Sequence, residues 1–566
     1  MTLLNEAAEG PRYAAYHWAV ILATPFLLLA INPNLFINPT GDVVDPWVYT
    51  GFFLSLPDHL IVWGRSYYST RISWLLPGYA LHQVFSPLVA NYILHFGFFY
   101  ILLSAVYRLI TAGVNRTTAF IATLLVGWNP QVIAAMSWDY VDGAVITYFA
   151  VTLLFLEKAA SSENRWVLWA VAGGAAMACL VTANLVAATL VPICLLFLLL
   201  RVSLPRWKTA GVILIIAGLG SLAMLGILAH TNWQLGGRFL FLLPSIDFAS
   251  ARLWVPSPYD PQGPSWLANA HFLILQAAAS LGALLALSRR PRNVGSFGGT
   301  IQLIFVVASA WWVIHSVLWT HSIHVSYYTD YIVPLGLIAL VLIPNSPFAR
   351  SAPLRLRDAL TLELATLAVL IAAHVLLFRW GHLSWPSNSI AAFAVCAVAL
   401  VLFRFTGPRW LRWPAYFLTL WIAYGSVPGN WVKADAPRVK EDFEITVSAH
   451  RYLWERLDNN RRLAMWYSLT PGESRPFRSI ASTYLWVWML VNENLPALNE
   501  SEAASLTPNG QLVLLVPDLS ESESVKEALR KFDFDYTPRE QKQFGPASAS
   551  FWVVVGDLSR SGKGDQ

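Results

Sequence analysis

Charge is what this chain has least of. Only 13% of its 566 residues are Asp, Glu, Lys or Arg, while 56% are hydrophobic, and the mean hydropathy is +0.51. So low a charge density excludes both an ordinary soluble domain and a disordered chain. Cysteine is scarce too: Cys179, Cys194 and Cys396 are the three, each inside an apolar run, where it reads as a small buried hydrophobe. They offer neither a disulfide framework nor a zinc spacing. A phosphate-cradling Gly-rich loop, a Ser nucleophile elbow and an HExxH pair are also missing. The net charge of +5 leaves no basic face for nucleic acid.

Long apolar runs and aromatic rings are what the chain has instead. Trp (26), Tyr (21) and Phe (30) are plentiful, as where amphipathic rings sit at bilayer interfaces. On a criterion of roughly 20 apolar residues per crossing, about thirteen spans are expected. Their centres fall near residues 27, 100, 127, 150, 174, 193, 220, 279, 309, 336, 370, 396 and 420. The run from Trp166 to Leu200 is too long for one helix, and Thr182-Ala183-Asn184 offers a polar break. The first segment lacks a small-residue cleavage site behind a short apolar core, so it reads as an anchor.

Basic residues orient the spans. With a cytoplasmic N-terminus, the inner loops hold Arg12, Arg108, Arg116, Lys158, Arg165, Arg201, Arg206, Lys208, Arg289, Arg290, Arg292, Arg350, Arg355, Arg357, Arg404, Arg409 and Arg412. The outer loops hold only Arg65, Arg71, Arg238, Arg252 and Arg379. The positive-inside rule favours this orientation and an extracytoplasmic C-terminus. Outer loops carry acids instead: Asp42, Asp45, Asp58, Asp139, Asp142, Asp247 and Asp260. A proton-coupled carrier is expected to place acids near the bilayer midplane; here they gather at one face.

Two outer loops are long, 38–88 and 231–270. The first contains Trp47–Leu56 and Ser73–Phe85, expected to lie along the interface as short amphipathic helices. Near Val427-Pro428-Gly429-Asn430 the composition turns charged. The chain thus divides into a membrane domain, 1–428, and an extracytoplasmic α/β domain, 429–566, large enough for its own core. Strands are expected at 462–467, 511–516 and 550–555, with a helix over 522–532. The fold class is a polytopic α-helical membrane protein with a C-terminal soluble α/β domain.

Four groups of residues could do chemistry. Asp42 and Asp45 follow the first span, three residues apart, and share a face if helical; the plainer reading of Asp45 is a cap for the helix behind Pro46. The second outer loop holds Asp139 and Asp142, though Asp142-Gly143 also suits a plain turn. Converging acids could supply a general base, a carboxylate that positions an acceptor, or oxygen ligands for a divalent cation. Arg65, Tyr67, Tyr68 and Arg71, with Arg238 and Arg252, could hold phosphate or a sugar, or simply snorkel at the interface. His321 and His324 could bind metal or phosphate, a spacing that chance also yields.

An acid just after the first span, a long first outer loop and a soluble outer C-terminal domain resemble the GT-C glycosyltransferases. These polyprenyl-phosphate-dependent membrane enzymes include the protein O-mannosyltransferases and the lipid A aminoarabinose transferase. Their first loop carries an Asp, commonly followed by Glu, with a Tyr four positions after the Asp. Asp45 and Tyr49 match that spacing, with Pro46 where Glu is usual. The family's acid in the second outer loop is matched by Asp139 or Asp142. The string Tyr67-Tyr68-Ser69-Thr70-Arg71, followed by Trp74 and Leu76-Pro77-Gly78, looks like a bacterial branch of this group. The resemblance implies a bacterial plasma-membrane enzyme that moves a sugar from a polyprenyl-phosphate donor to a glycan, lipid or protein acceptor with inversion. It implies Asp45 as base, Asp42 or Asp139 beside the acceptor, and Arg65 or Arg71 near the phosphate. The readings kept against it are a lipid-linked sugar flippase and a noncatalytic protein whose outer domain binds a partner.

Overall fold

The computed structural model describes residues 11–38, 40, 44–202, 207–254, 279–284, 287, 296–315, 328, 330–342, 356–380, 439–456, 463–467, 475–480, 483, 510–546 and 550–561. Its first helix, α1, is Pro11–Ile31. The first outer loop is helical almost throughout: α2 (Asp45–Leu54), α3 (Leu56–Trp63), a 3₁₀ turn at Tyr67–Thr70, and α4 (Ile72–Val84) leading to α5 (Pro87–Thr111). Pro46, Pro57 and Pro87 each occupy the first turn of a helix, where a missing N–H costs nothing.

Helices α2 and α4 match the two short helices expected in this loop, but α2 and the first turn of α4 are buried rather than lying on the surface. Every residue from Pro46 to Phe53 is buried, and so are Ile72, Ser73, Trp74 and Leu75. Both are apolar on all sides rather than amphipathic, and a helix of that kind belongs inside. Gly78 lets them touch, because a Cβ there would meet the Phe53 ring at 2.2 Å.

Helices α6 (Arg116–Gly127) and α7 (Pro130–Met136) come next, bent by 62° where a single span centred near 127 is expected. Pro130 disfavours a helical residue before it, and Asn129 is extended, its side chain capping the N–H groups of Gln131 and Val132. Helix α8 (Val141–Ser161) returns across the bundle, followed by α9 (Trp166–Ala183). The break at Asn184 falls where the sequence places it. A 3₁₀ turn, Leu185–Leu190, then leads into the short α10 (Val191–Arg201).

The remaining bundle helices are α11 (Trp207–Gln234), α12 (Leu243–Trp254), α13 (Phe297–His315), α14 (Val333–Val341) and α15 (Leu356–Trp380). Among the described residues, seven helices are long and apolar enough to cross a membrane, or eight if the bent pair counts as one. The expected centres near 27, 100, 150, 174, 220, 309 and 370 correspond to α1, α5, α8, α9, α11, α13 and α15. Those near 193 and 336 fall on the short α10 and α14, that near 279 falls where only 279–284 and 287 are described, and those near 396 and 420 lie outside the described residues. Leu22 and Phe26 on α1, and Ile215 and Leu222 on α11, stay exposed, as lipid-facing side chains must.

The two ends of the bundle differ. Where α1 and α6 begin, Glu363 accepts from Tyr13 and meets His17 at 3.1 Å. Nearby Arg201 forks onto Glu157 at 2.7 and 2.8 Å. The opposite end carries Asp45, Arg71, Asp139 and Asp142.

Among the described residues, the C-terminal segment holds α16 (Val439–Arg456) and four strands of one sheet in the order β1-β2-β4-β3: β1 (Leu463–Tyr467), β2 (Gln511–Val516), β3 (Phe534–Phe544) and β4 (Phe551–Arg560), with α17 (Leu519–Arg530) between β2 and β3. β1 and β2 are parallel; β4 runs antiparallel to both β2 and β3. Leu512, Leu514 and Val516 pack on α17 through Val525 and Leu529. Val513, Leu515, Val553 and Val555 face the other way and join Tyr452 and Leu453 of α16. The expected strands and helix are there, and β3 is an addition. It is a mostly exposed polar edge strand, irregular at Pro538, so neither apolar content nor alternation announces it.

Candidate active site

The second outer loop is pinned by its first acid. Asp139 is buried, and one of its oxygens accepts from Asn38 Nδ2 and Thr50 Oγ1, both at 2.7 Å. The other oxygen is 2.9 Å from His95 Nε2, and the Asp139 N–H donates to Asn38 Oδ1 at 2.6 Å. This carboxylate ties the start of the first outer loop to α2 and α5. Its hydrogen-bonding capacity is taken up by the protein.

Asp142, one helical turn further on at the start of α8, is in the reverse condition. It is buried; Oδ1 accepts from Tyr331 Oη at 2.7 Å, and Oδ2 has no partner. Tyr331 is held in turn by Asn184 Nδ2 at 2.9 Å. Asp330, also buried, lies within electrostatic range of Asp142. Gly143 lets α8 start this close to α7: a Cβ there would sit 2.8 Å from the Ala135 carbonyl oxygen.

Arg71 stands between the two loops. Its N–H closes the 3₁₀ turn on Tyr68 O, and its carbonyl accepts the first bonds of α4, from Trp74 and Leu75. The guanidinium is 6% exposed and stands over the rings of Tyr67, Tyr49, Tyr68 and Tyr140, at 5.0, 5.4, 5.6 and 5.8 Å. These aromatic faces attract the cation, yet Nη1 makes no hydrogen bond. The Tyr49 hydroxyl is also buried and unpaired.

Asp45 opens α2 on the same cluster. It accepts from Tyr68 Oη and is hydrogen-bonded to Tyr140 as well. Burial pushes its carboxyl above the usual carboxylate range, against the pull of Tyr68, Arg71 and Tyr140. Burial and the Asp45 charge raise the Tyr68 phenol, so it remains a donor. Asp45 and Asp142 feel one another's charge, and both feel Arg71. Two acids, a cation and three unpaired buried polar atoms therefore share one aromatic-walled site. Unpaired buried polar groups are costly, and their convergence is what a ligand-binding site requires.

No protein-family model matches this sequence, and no curated protein matches it. Among solved structures, ArnT from Cupriavidus metallidurans in the apo state is similar over 96% of this chain and 98% of its own, at 13% identity and a TM-score of 0.45. ArnT bound to undecaprenyl phosphate covers the same shares, with a TM-score of 0.42. The archaeal oligosaccharyltransferase AglB from Archaeoglobus fulgidus, in complex with an inhibitory peptide and a dolichol-phosphate, is similar over 98% of this chain and 75% of its own, at 12% identity and a TM-score of 0.44.

Of the sequence candidates, Asp45, Tyr49, Tyr67, Tyr68, Arg71 and Asp142 come together, while Asp139 sits in the pinning network. Arg65 and Arg238 are exposed. Arg252 is on α12, its side chain outside the described residues, and Asp42, His321 and His324 lie outside them altogether. Among the described residues, no group of three or more His, Cys, Asp or Glu could hold a metal. Sequence reasoning did not nominate Tyr140 or Tyr331 for the site, and it read Asn184 only as a break between helices. Asn184 had a signal, since an amide inside a long apolar run needs a partner; the tyrosines had none beyond their neighbouring acids.

Proposed function

We propose that this chain is an integral-membrane glycosyltransferase. It moves a sugar from a polyprenyl-phosphate carrier to an acceptor on the non-cytoplasmic side of the membrane. The observation that carries this reading is the meeting of Asp45 and Asp142, from two separate loops, around a buried Arg71 whose Nη1 is unpaired.

Asp45 is the general base. It takes the proton from the acceptor hydroxyl as that oxygen bonds to the anomeric carbon, while the bond from that carbon to the phosphate oxygen breaks. A single displacement from the opposite face inverts the anomeric configuration. Negative charge gathers on the departing polyprenyl phosphate, and Arg71, a permanent cation with donors to spare, neutralises it. The tyrosine walls give the sugar an aromatic surface, and Asp142 Oδ2 accepts from a sugar or acceptor hydroxyl. The raised Asp45 carboxyl makes it a stronger base than a solvated carboxylate.

Asp45→Asn tests the assignment. Incubation with radiolabelled polyprenyl-phosphate sugars and membrane acceptors should give transfer by the parent protein and a loss of about 10²–10⁴-fold in the variant, the range for a general base. Expression and membrane insertion should be unchanged. Undiminished transfer by Asp45→Asn refutes the base. Movement of the intact lipid-linked sugar across vesicles, with no product, favours a flippase.

A further inference from the structure

Helix α2 has two working faces. Successive helical residues turn by about 100°, so Asp45 and Trp47, two residues apart, point to nearly opposite sides. The Asp45 side meets Tyr68 and Tyr140. The Trp47 side is covered by a segment almost four hundred residues later in the chain. Trp47 is fully buried; Phe443 of α16 lies 5.6 Å away, and His450 stacks on it at 6.1 Å and 15°. Ile37, Val439 and Val447 complete this separate apolar cluster, and Thr40 Oγ1 donates to Asp442 at 3.4 Å.

The first turn of α2 packs on this cluster through Trp47. Its N-cap position is Val44, which makes no side-chain capping bond, so the first turn lacks the usual device that fixes it. Asp45 is in that turn. Burial pushes the His450 imidazole down to about 4, so at ordinary pH it is a neutral ring that stacks as an apolar one. Helix α16 is itself anchored at its far end, where Tyr452 meets Phe544 of β3 at 5.5 Å and Lys542 at 4.9 Å. A continuous line of packed side chains thus runs from the sheet through α16 and Trp47 to the turn that bears the base.

We infer that α16 is a positioning element for Asp45: the C-terminal segment holds the first turn of α2 in place by clamping Trp47 between Phe443 and His450. This rests on the reading of Asp45 as the base. Phe443 and His450 themselves touch no reacting atom. Their contribution is to fix a carboxylate whose own helix start is uncapped, so the small C-terminal sheet is part of the working site.

The test uses the full chain in lipid nanodiscs. In the double variant Phe443→Ala/His450→Ala, amide hydrogen exchange over residues 45–54 should quicken about tenfold, while 116–136 keeps the parent rate. His450→Phe, which retains a stacking ring, should match the parent protein. Binding of polyprenyl phosphate, the probe for the lipid carrier, should be unchanged, while sugar transfer falls about tenfold at saturating substrate. Parent-like exchange over 45–54 in the double variant overturns the inference, as does a uniform quickening over the whole chain. Faster exchange at 45–54 in a protein that neither binds polyprenyl phosphate nor transfers sugar leaves the clamp standing and rejects the proposed function.

Discussion

Asp139 and Asp142 stand three residues apart, both buried, and the structure treats them in opposite ways. Three side-chain groups, from the first outer loop, α2 and α5, surround the carboxylate of Asp139. Asp142 has one, and an oxygen left over. The first is how a protein uses a buried acid to hold itself together. The second is how it keeps an acid for something else. Burial alone does not separate structural from functional acids; satisfaction does.

That contrast can be broken by substitution. The largest effect on stability should come from Asp139→Ala, which strands Asn38, Thr50 and His95 together. A loss on the order of 3 kcal/mol is expected, read as a fall in detergent-solubilised melting temperature, whereas Asp142→Asn should move that temperature little. Equal shifts would erase the distinction. Arg71→Met comes next. Arg71 faces the Asp45 charge and four tyrosine rings, so removing the cation should also lower the melting temperature, by less than Asp139→Ala does. The variant's affinity for polyprenyl phosphate should drop about tenfold or more, the worth of one charge-assisted bond.

The smallest effect is the most diagnostic. Tyr68→Phe removes a donor that favours the ionised form of Asp45. The carboxyl then titrates higher still, and the base is active only when ionised, so the acid limb of the rate profile should move to higher pH. The loss should grow as the pH falls, read as the rate ratio of variant to parent across the profile. A profile that stays in place would remove Asp45 from the chemistry.

Much of this was legible in sequence, unevenly. The acid after the first span, the Asn184 break and the apolar strand Gln511–Val516 are local properties, written in residue type and spacing. The burial of α2 was hidden because its apolar residues run all round it, and a bilayer chain offers that pattern to lipid and to protein alike. Strand β3 was hidden by its position at an edge. The meeting of Asp142 with Tyr331, 189 residues apart, is topology rather than pattern. The same holds for Trp47 with His450. The sequence could nominate acids, but only the fold could sort a pin from a site.

The bend between α6 and α7 has a consequence for how this protein is made. Twelve helical residues in α6 reach about 18 Å at 1.5 Å each, well short of a hydrocarbon layer of about 30 Å. A straight thread of this length cannot be recognised as a crossing and released into lipid by itself. The break at Trp128 and Asn129 is fully buried, so the bent pair takes its final place only when neighbouring helices stand around it. Biogenesis and tertiary assembly are therefore coupled at this point. The bent segment that leads into Asp139 is the part of the bundle that has to wait for the rest.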